Sequence, residues 1–239
     1  MTKLKSSNSF KTTFTEEQQE QISLGEQKRI DPSIYAKPFY EGKQMEQIRL
    51  GIEKGLDVSI YIDPNYSWRQ MEQIRLGLED EVDVSKYASP KYDWMQMRQI
   101  RLGLKSKVDV SKYADTCYDY TQMYEIRLGI EEGLNVSIYI DPNYDWMQME
   151  QIRLGLKSNL DVSKYANPKY SHSQMDQIRL GLVTGLDVTP YLNEAYSCEL
   201  MYAIRIHLIQ KEDYKYLLKT PLTDSKYYEI AFNMERNNG

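Results

Sequence analysis

Asp93-Trp94-Met95-Gln96-Met97-Arg98-Gln99-Ile100-Arg101-Leu102-Gly103-Leu104, followed by Asp109-Val110-Ser111-Lys112-Tyr113, decides the fold of this chain. Asp93 can cap a helix, and Gln96 stands three residues later, in capping-box position. Trp94, Met97, Ile100 and Leu104 then share one face at helical spacing. Leu102 lies nearly opposite them, so the helix is expected to be covered on two sides, as inside a stack. It should stop near residue 106, where Gly55, Gly133 and Gly185 occupy the equivalent of position 107 in other copies and suit a C′ site. Asp109 opens a second helical turn of about five residues, short enough to be 3₁₀.

Outward from this stretch the same text repeats. Gln-Ile-Arg-Leu-Gly surrounds Ile48, Ile74, Ile100, Ile152 and Ile178, and Glu-Ile-Arg-Leu-Gly surrounds Ile126. Degenerate copies hold Ile22, Ile204 and Ile230. The nine isoleucines are spaced by 26 residues with no insertion or deletion. The capping pair recurs as Ser67 with Gln70, Asp119 with Gln122, Asp145 with Gln148 and Ser171 with Gln174. Pro64, Pro90, Pro142 and Pro168 are expected to end the short turn, because the residue before proline avoids the α region.

One such unit cannot bury its apolar residues alone, so the copies must stack. The reading is an all-α chain, an α-solenoid or superhelix of about nine repeats, each one long helix plus one short helical turn. Residues 1–14 form a polar N-terminal tail, and 15–239 a single repeat array with atypical capping copies. In the first copy Gln19 and Ser23 replace the recurrent Met and Arg. In the last, Tyr227, Ala231 and Asn233 replace Met, Arg and Gly.

Composition narrows the function classes. The formal net charge of −5 weighs against bulk nucleic-acid binding, which brings a basic face. The N-terminal stretch lacks the apolar core of a signal peptide, and no stretch approaches the roughly 20 apolar residues of a membrane helix. Cys117 and Cys198 belong to no CxxC or Cys/His cluster and read as reduced thiols. The expectation is a cytoplasmic protein with no membrane association.

No catalytic arrangement is evident. His172 and His207 each stand where other copies carry something else, and HExxH, GxSxG and Cys/His pairings are missing. The chain is therefore expected to be no enzyme, with no cofactor and no metal.

Three columns remain. Arg49, Arg75, Arg101, Arg127, Arg153, Arg179 and Arg205 recur at one phase. Such a line can clamp phosphates or acidic side chains. It can equally form an internal ladder with the aspartates eight residues on, such as Arg75 with Asp83 and Arg101 with Asp109. Net acidity and the matched aspartates favour the ladder. The glycine column (Gly25, Gly51, Gly77, Gly103, Gly129, Gly155 and Gly181) sits mid-helix, where Gly costs roughly 1 kcal/mol against Ala; close helix–helix approach is the expected reason. The third column holds Trp68, Trp94, Tyr120, Trp146, His172 and Cys198. Aromatic rows can anchor a partner, but at this spacing they are expected in the core. The 21 tyrosines are many, and a good share of them should be part-exposed, with wet hydroxyls.

In a solenoid, specificity belongs where copies differ. Here those positions include Arg98 and Tyr124 on the long helix and Lys86, Lys112 and Lys164 on the short turn. The expected function is a non-enzymatic scaffold that binds a protein partner. The alternative is a nucleic-acid or nucleotide binder that uses the arginine column.

Met-Glu-Gln-Ile-Arg-Leu-Gly-Leu and Leu-Asp-Val-Ser-x-Tyr-Ala-x-Pro resemble the repeat of uncharacterised 26-residue tandem-repeat proteins of phages and conjugative elements of gut clostridia. The resemblance covers roughly residues 44–196. It implies a mobile-element protein acting on a host or defence component, and it carries over no activity and no functional residues.

Overall fold

The computed structural model describes residues 14–219 and 221–237. Apart from Phe14, the polar tail lies outside these residues. Among them the chain is all-helical, and it divides into two compact units, residues 1–107 and 108–239. Unit 1 contains α1 (Glu16–Gln27), α2 (Gly42–Glu53), α3 (Trp68–Glu79) and α4 (Trp94–Lys105), with 3₁₀ turns at Pro32–Ile34, Val58–Ile60 and Val84–Lys86. Unit 2 opens with the turn Val110–Lys112 and contains α5 (Tyr120–Glu131), α6 (Trp146–Lys157), α7 (His172–Val183), α8 (Cys198–Gln210), α9 (Lys215–Lys219) and α10 (Asp224–Asn237). Further 3₁₀ turns lie at Val136–Ile138, Val162–Lys164 and Thr189–Tyr191.

The sequence register survives in three dimensions. The nine long helices begin at residues 16, 42, 68, 94, 120, 146, 172, 198 and 224. Within unit 1, α1 packs on α2, α2 on α3 and α3 on α4; within unit 2, α5 through α8 pack in order and α10 closes on α8. This sequential packing of helix-plus-turn repeats is the architecture of an α-solenoid.

The capping boxes form as the spacing predicts, at Ser67/Gln70, Asp93/Gln96, Asp119/Gln122, Asp145/Gln148 and Ser171/Gln174. Their glutamines have a second task. The Gln70 amide donates to the Tyr92 carbonyl at 2.6 Å, and Gln148 does the same to Tyr170, so the cap of one helix is tied to the loop that enters the next. At the other end, positions 29, 55, 81, 107, 133, 159, 185 and 211 are all left-handed, although only three of them are glycine. The backbone N–H of Leu56 reaches back to the Gly51 carbonyl at 2.9 Å, which closes the helix end.

The short element is a three-residue 3₁₀ turn, shorter than the expected five. Asp57 caps its turn by accepting from the Ser59 N–H at 3.0 Å. The prolines do not end this turn directly. Pro64 is the second residue of a following β-turn, in which the Tyr66 N–H donates to the Asp63 carbonyl at 3.1 Å.

The core runs along Met and Ile: Met45, Ile48, Met71, Ile74, Met97 and Ile100 in unit 1 are fully buried, as are their counterparts on α5 to α8. Trp94 and Leu104 lie at its margins and are only half-buried. The tyrosines correct the sequence expectation. Tyr35, Tyr61, Tyr87, Tyr113, Tyr139, Tyr165 and Tyr191 have no exposed surface at all. Their hydroxyls are dry: Tyr61 donates to the Gln47 carbonyl at 3.2 Å and Tyr165 to the Gln151 carbonyl at 3.1 Å. Burial raises the Tyr61 and Tyr165 phenols far above their ordinary value, so they stay protonated.

The same residues explain the glycine column. A Cβ on Gly51, Gly77, Gly129, Gly155 or Gly181 would overlap the hydroxyl of the tyrosine on the 3₁₀ turn that follows. The close approach is therefore a phenol against a helix, within one repeat, and not helix against helix. Where the last turn starts one residue later, at Thr189, Tyr191 still covers Gly181. Its hydroxyl is the one buried side-chain polar atom without a hydrogen-bond partner among the described residues.

Candidate functional site

The arginine column turns inward. In unit 1 the Nε of Arg49, Arg75 and Arg101 donates to the side-chain oxygens of Gln21, Gln47 and Gln73, at 3.1, 3.0 and 3.2 Å. Each of these glutamines lies 28 residues earlier, on the preceding helix. In unit 2, Arg179 and Arg205 bind Gln151 and Gln177 in the same way, and Arg153 meets Glu125 at 2.8 Å. The guanidinium ends find acids. Arg49 pairs with Glu53 at 3.0 Å, Arg75 with Glu79, Arg101 with Asp80 at 2.7 Å, Arg127 with Glu131 at 2.7 Å, Arg153 with Glu132 at 3.0 Å and Arg179 with Asp176 at 2.6 Å.

A ladder exists, but its partners are not the aspartates eight residues on. Asp57, Asp83 and Asp109 are exposed and spent on capping the 3₁₀ turns. The serine hydroxyls that bond them hold their carboxyls below the ordinary range. Matching signs along the sequence found the nearest repeated acid, whereas the fold joins Arg49, Arg75, Arg101, Arg179 and Arg205 to a neutral glutamine one helix back, and Arg153 to Glu125.

The variable positions are on the surface. Arg98 and Tyr124 lie exposed on α4 and α5, and Lys86, Lys112 and Lys164 end their 3₁₀ turns, all three exposed. The two sets thus occupy different elements of the repeat.

The third column is a correction. None of Trp68, Trp94, Tyr120, Trp146, His172 and Cys198 is buried; Tyr120 is 40% exposed and Trp146 37%. They occupy the first residue of α3 to α8. Helical spacing gives the azimuth of a side chain but not whether the neighbouring layer reaches the first turn. In unit 1 this row is interleaved with cations: Lys43 and Arg69 each sit 4.7 Å from the Trp68 ring, and Arg69 lies 5.4 Å from Trp94. Phe39 stands beside it, 62% exposed, in a cleft of about 470 Å³ that Trp68 and Lys43 also line. In unit 2 the row borders a larger cleft, about 570 Å³, lined by His172, Asp176, Cys198, Glu199, Tyr202 and Tyr228 among others. Nothing in the spacing announced these clefts, because each needs side chains from several copies.

Nucleophilic chemistry finds no support in the larger cleft. Burial, with Glu199 and Asp224 nearby, pushes the Cys198 thiol up to about 11, opposite to an activated thiolate. Among the described residues no group of three or more His, Cys, Asp or Glu could hold a metal, and no helix is long and apolar enough to cross a membrane.

Fold and surface define a tandem helical-repeat protein of the α-solenoid class with a half-exposed aromatic row. Comparison with protein-family models, with curated proteins and with solved structures finds no match.

Proposed function

We propose that the chain is a helical-repeat scaffold that binds a protein partner through the first turns of its long helices. The carrying observation is a contrast: the chain buries seven tyrosines completely, yet leaves Trp68, Trp94, Tyr120 and Trp146 half-exposed at a repeated position. Tryptophan and tyrosine supply large, rigid contact area and dominate protein interfaces, often with arginine. Arg69 and Arg98 lie on the same face in unit 1, and Tyr124 does so in unit 2.

The alternative reading, a nucleic-acid or nucleotide binder using the arginine column, has less behind it. Those guanidiniums are mostly buried, and their donors are directed at Gln, Glu and Asp of the chain itself. The resemblance of residues 44–196 to mobile-element repeats adds a host or defence component as partner; that part of the proposal rests on the resemblance alone.

The test is capture by photo-crosslinking, with the intact chain carrying a benzophenone residue at position 98. The expected result is a protein adduct that survives nuclease treatment and is lost in Trp94→Ser, while Glu81→Gly, placed away from the row, retains it. An adduct abolished by nuclease, or one indifferent to Trp94→Ser, would overturn the reading.

A further inference from the structure

We infer that the cleft formed by α7, α8, α10 and Gln151 of α6 receives a cationic side chain, guanidinium or ammonium, from a protein partner. This deepens the partner-binding reading and rests on it.

The chemistry of the lining comes first. Tyr202 and Tyr228 stand with ring centroids 5.9 Å apart, tilted by 42°, and both line the cleft. Tyr228 is 53% exposed even with Phe232 stacked beside it at 5.9 Å, so part of its ring surface stays open to a visitor. Aromatic faces attract ammonium and guanidinium groups through the ring quadrupole. The chain already uses this preference, since Arg205, which does not line the cleft, lies 5.4 Å from the Tyr202 ring.

Two carboxylates complete the lining. Asp176 shares its charge with Arg179 at 2.6 Å. Glu199 has no ion pair to a cation among the described residues. The Cys198 thiol, also in the lining, reads the local field: beyond burial, Glu199 and Asp224 favour its protonated form. A site that holds a proton against ionisation in this way also favours an arriving cation.

The repeat supplies an internal comparison. The second and fifth residues of the long helices flank the aromatic row. On α1 they are Glu17 and Glu20, and on α2 to α4 they include Lys43, Arg69 and Arg98 beside Glu46 and Glu72. On α5 to α8 of unit 2 the same positions hold Glu150, Asp176 and Glu199, with no cation. Three cations flank the row on α2 to α4, whereas α5 to α8 carry three carboxylates and no cation there, so the stretch in unit 2 is the one complementary to positive groups. A volume of about 570 Å³ suits an arginine or lysine side chain with part of its backbone.

The intact, ¹⁵N-labelled chain is titrated with acetyl-Ala-Arg-Ala-amide and, separately, with the peptide that carries uncharged citrulline in place of arginine. The arginine peptide should shift the amides of Ser173, Glu199 and Tyr228 saturably, and the citrulline peptide should bind about tenfold more weakly. Glu199→Gln and Tyr228→Leu, both surface changes, should each weaken the arginine peptide about fivefold. No saturable shift, equal binding of the citrulline peptide, or unaltered binding by both variants would overturn the inference. Such a failure leaves crosslinking at position 98 untouched, whereas loss of that crosslink with peptide binding intact refutes the aromatic-row reading alone.

Discussion

The hydroxyl of Tyr87 occupies the space that a Cβ at residue 77 would need, and it donates to the Gln73 carbonyl at 3.0 Å. A glycine in the helix and a tyrosine ten residues later thus form one device, repeated through both units. It exchanges intrinsic helix propensity for a buried ring and a bonded hydroxyl.

That exchange predicts an unusual sign. Alanine is the better helix former by about 1 kcal/mol, yet Gly77→Ala should destabilise by about 1–2 kcal/mol net, because Tyr87 and Val84 must move. Tyr87→Phe should cost about 1 kcal/mol for the lost hydrogen bond. The double variant should lose less than the sum of the two, since removing the hydroxyl makes room for the methyl. Urea denaturation of the four proteins gives the coupling directly.

A second prediction comes from the left-handed positions. Glu81 and Lys107 hold φ of 55° and 59°, where Gly55 holds 71° in its own copy. Glu81→Gly should raise stability by about 0.5–1 kcal/mol, and Gly55→Ala should lower it by a similar amount. Asn159→Gly should gain less, because asparagine tolerates this conformation. Thermal melts of the three variants rank them.

Glu125 supplies a pH test. It stands where most copies carry glutamine, 2% exposed, and accepts from the Arg153 Nε at 2.8 Å. Burial raises its carboxyl above the ordinary value, with Arg153 opposing. A carboxyl raised on folding contributes stability that is present below its unfolded value and lost as pH rises through the folded one. Glu125→Gln should therefore be neutral to about 1 kcal/mol stabilising at pH 7. Its advantage should shrink as pH falls through the carboxylate range. Denaturation midpoints at pH 4 and pH 7 decide it.

Much of this fold was legible because the repeat wrote it several times. The pair Asp93 and Gln96 alone is a weak signal, but the same pair at one phase in copy after copy fixes the starts of α3 to α7. What escaped was contact between columns. Periodicity placed Tyr87 and Gly77 each in a column and could not say that one fills the space left by the other. It paired Arg75 with Asp83 by sign, although Arg75 reaches back to Gln47 instead. It put Trp146 in the core by azimuth, although the first turn of α6 lies at the edge of the packed layer.

The central claim divides the repeated residues into those that hold copies together and those left for a partner. Urea denaturation of Arg75→Gln beside Trp146→Ser tests it most directly. Arg75→Gln should lose about 2 kcal/mol or more, because Gln47 and Glu79 lose a buried charged donor. Trp146→Ser, at a half-exposed position, should stay within about 1 kcal/mol of the parent chain. An Arg75→Gln protein as stable as the parent, with Trp146→Ser the one that unfolds, would contradict the account.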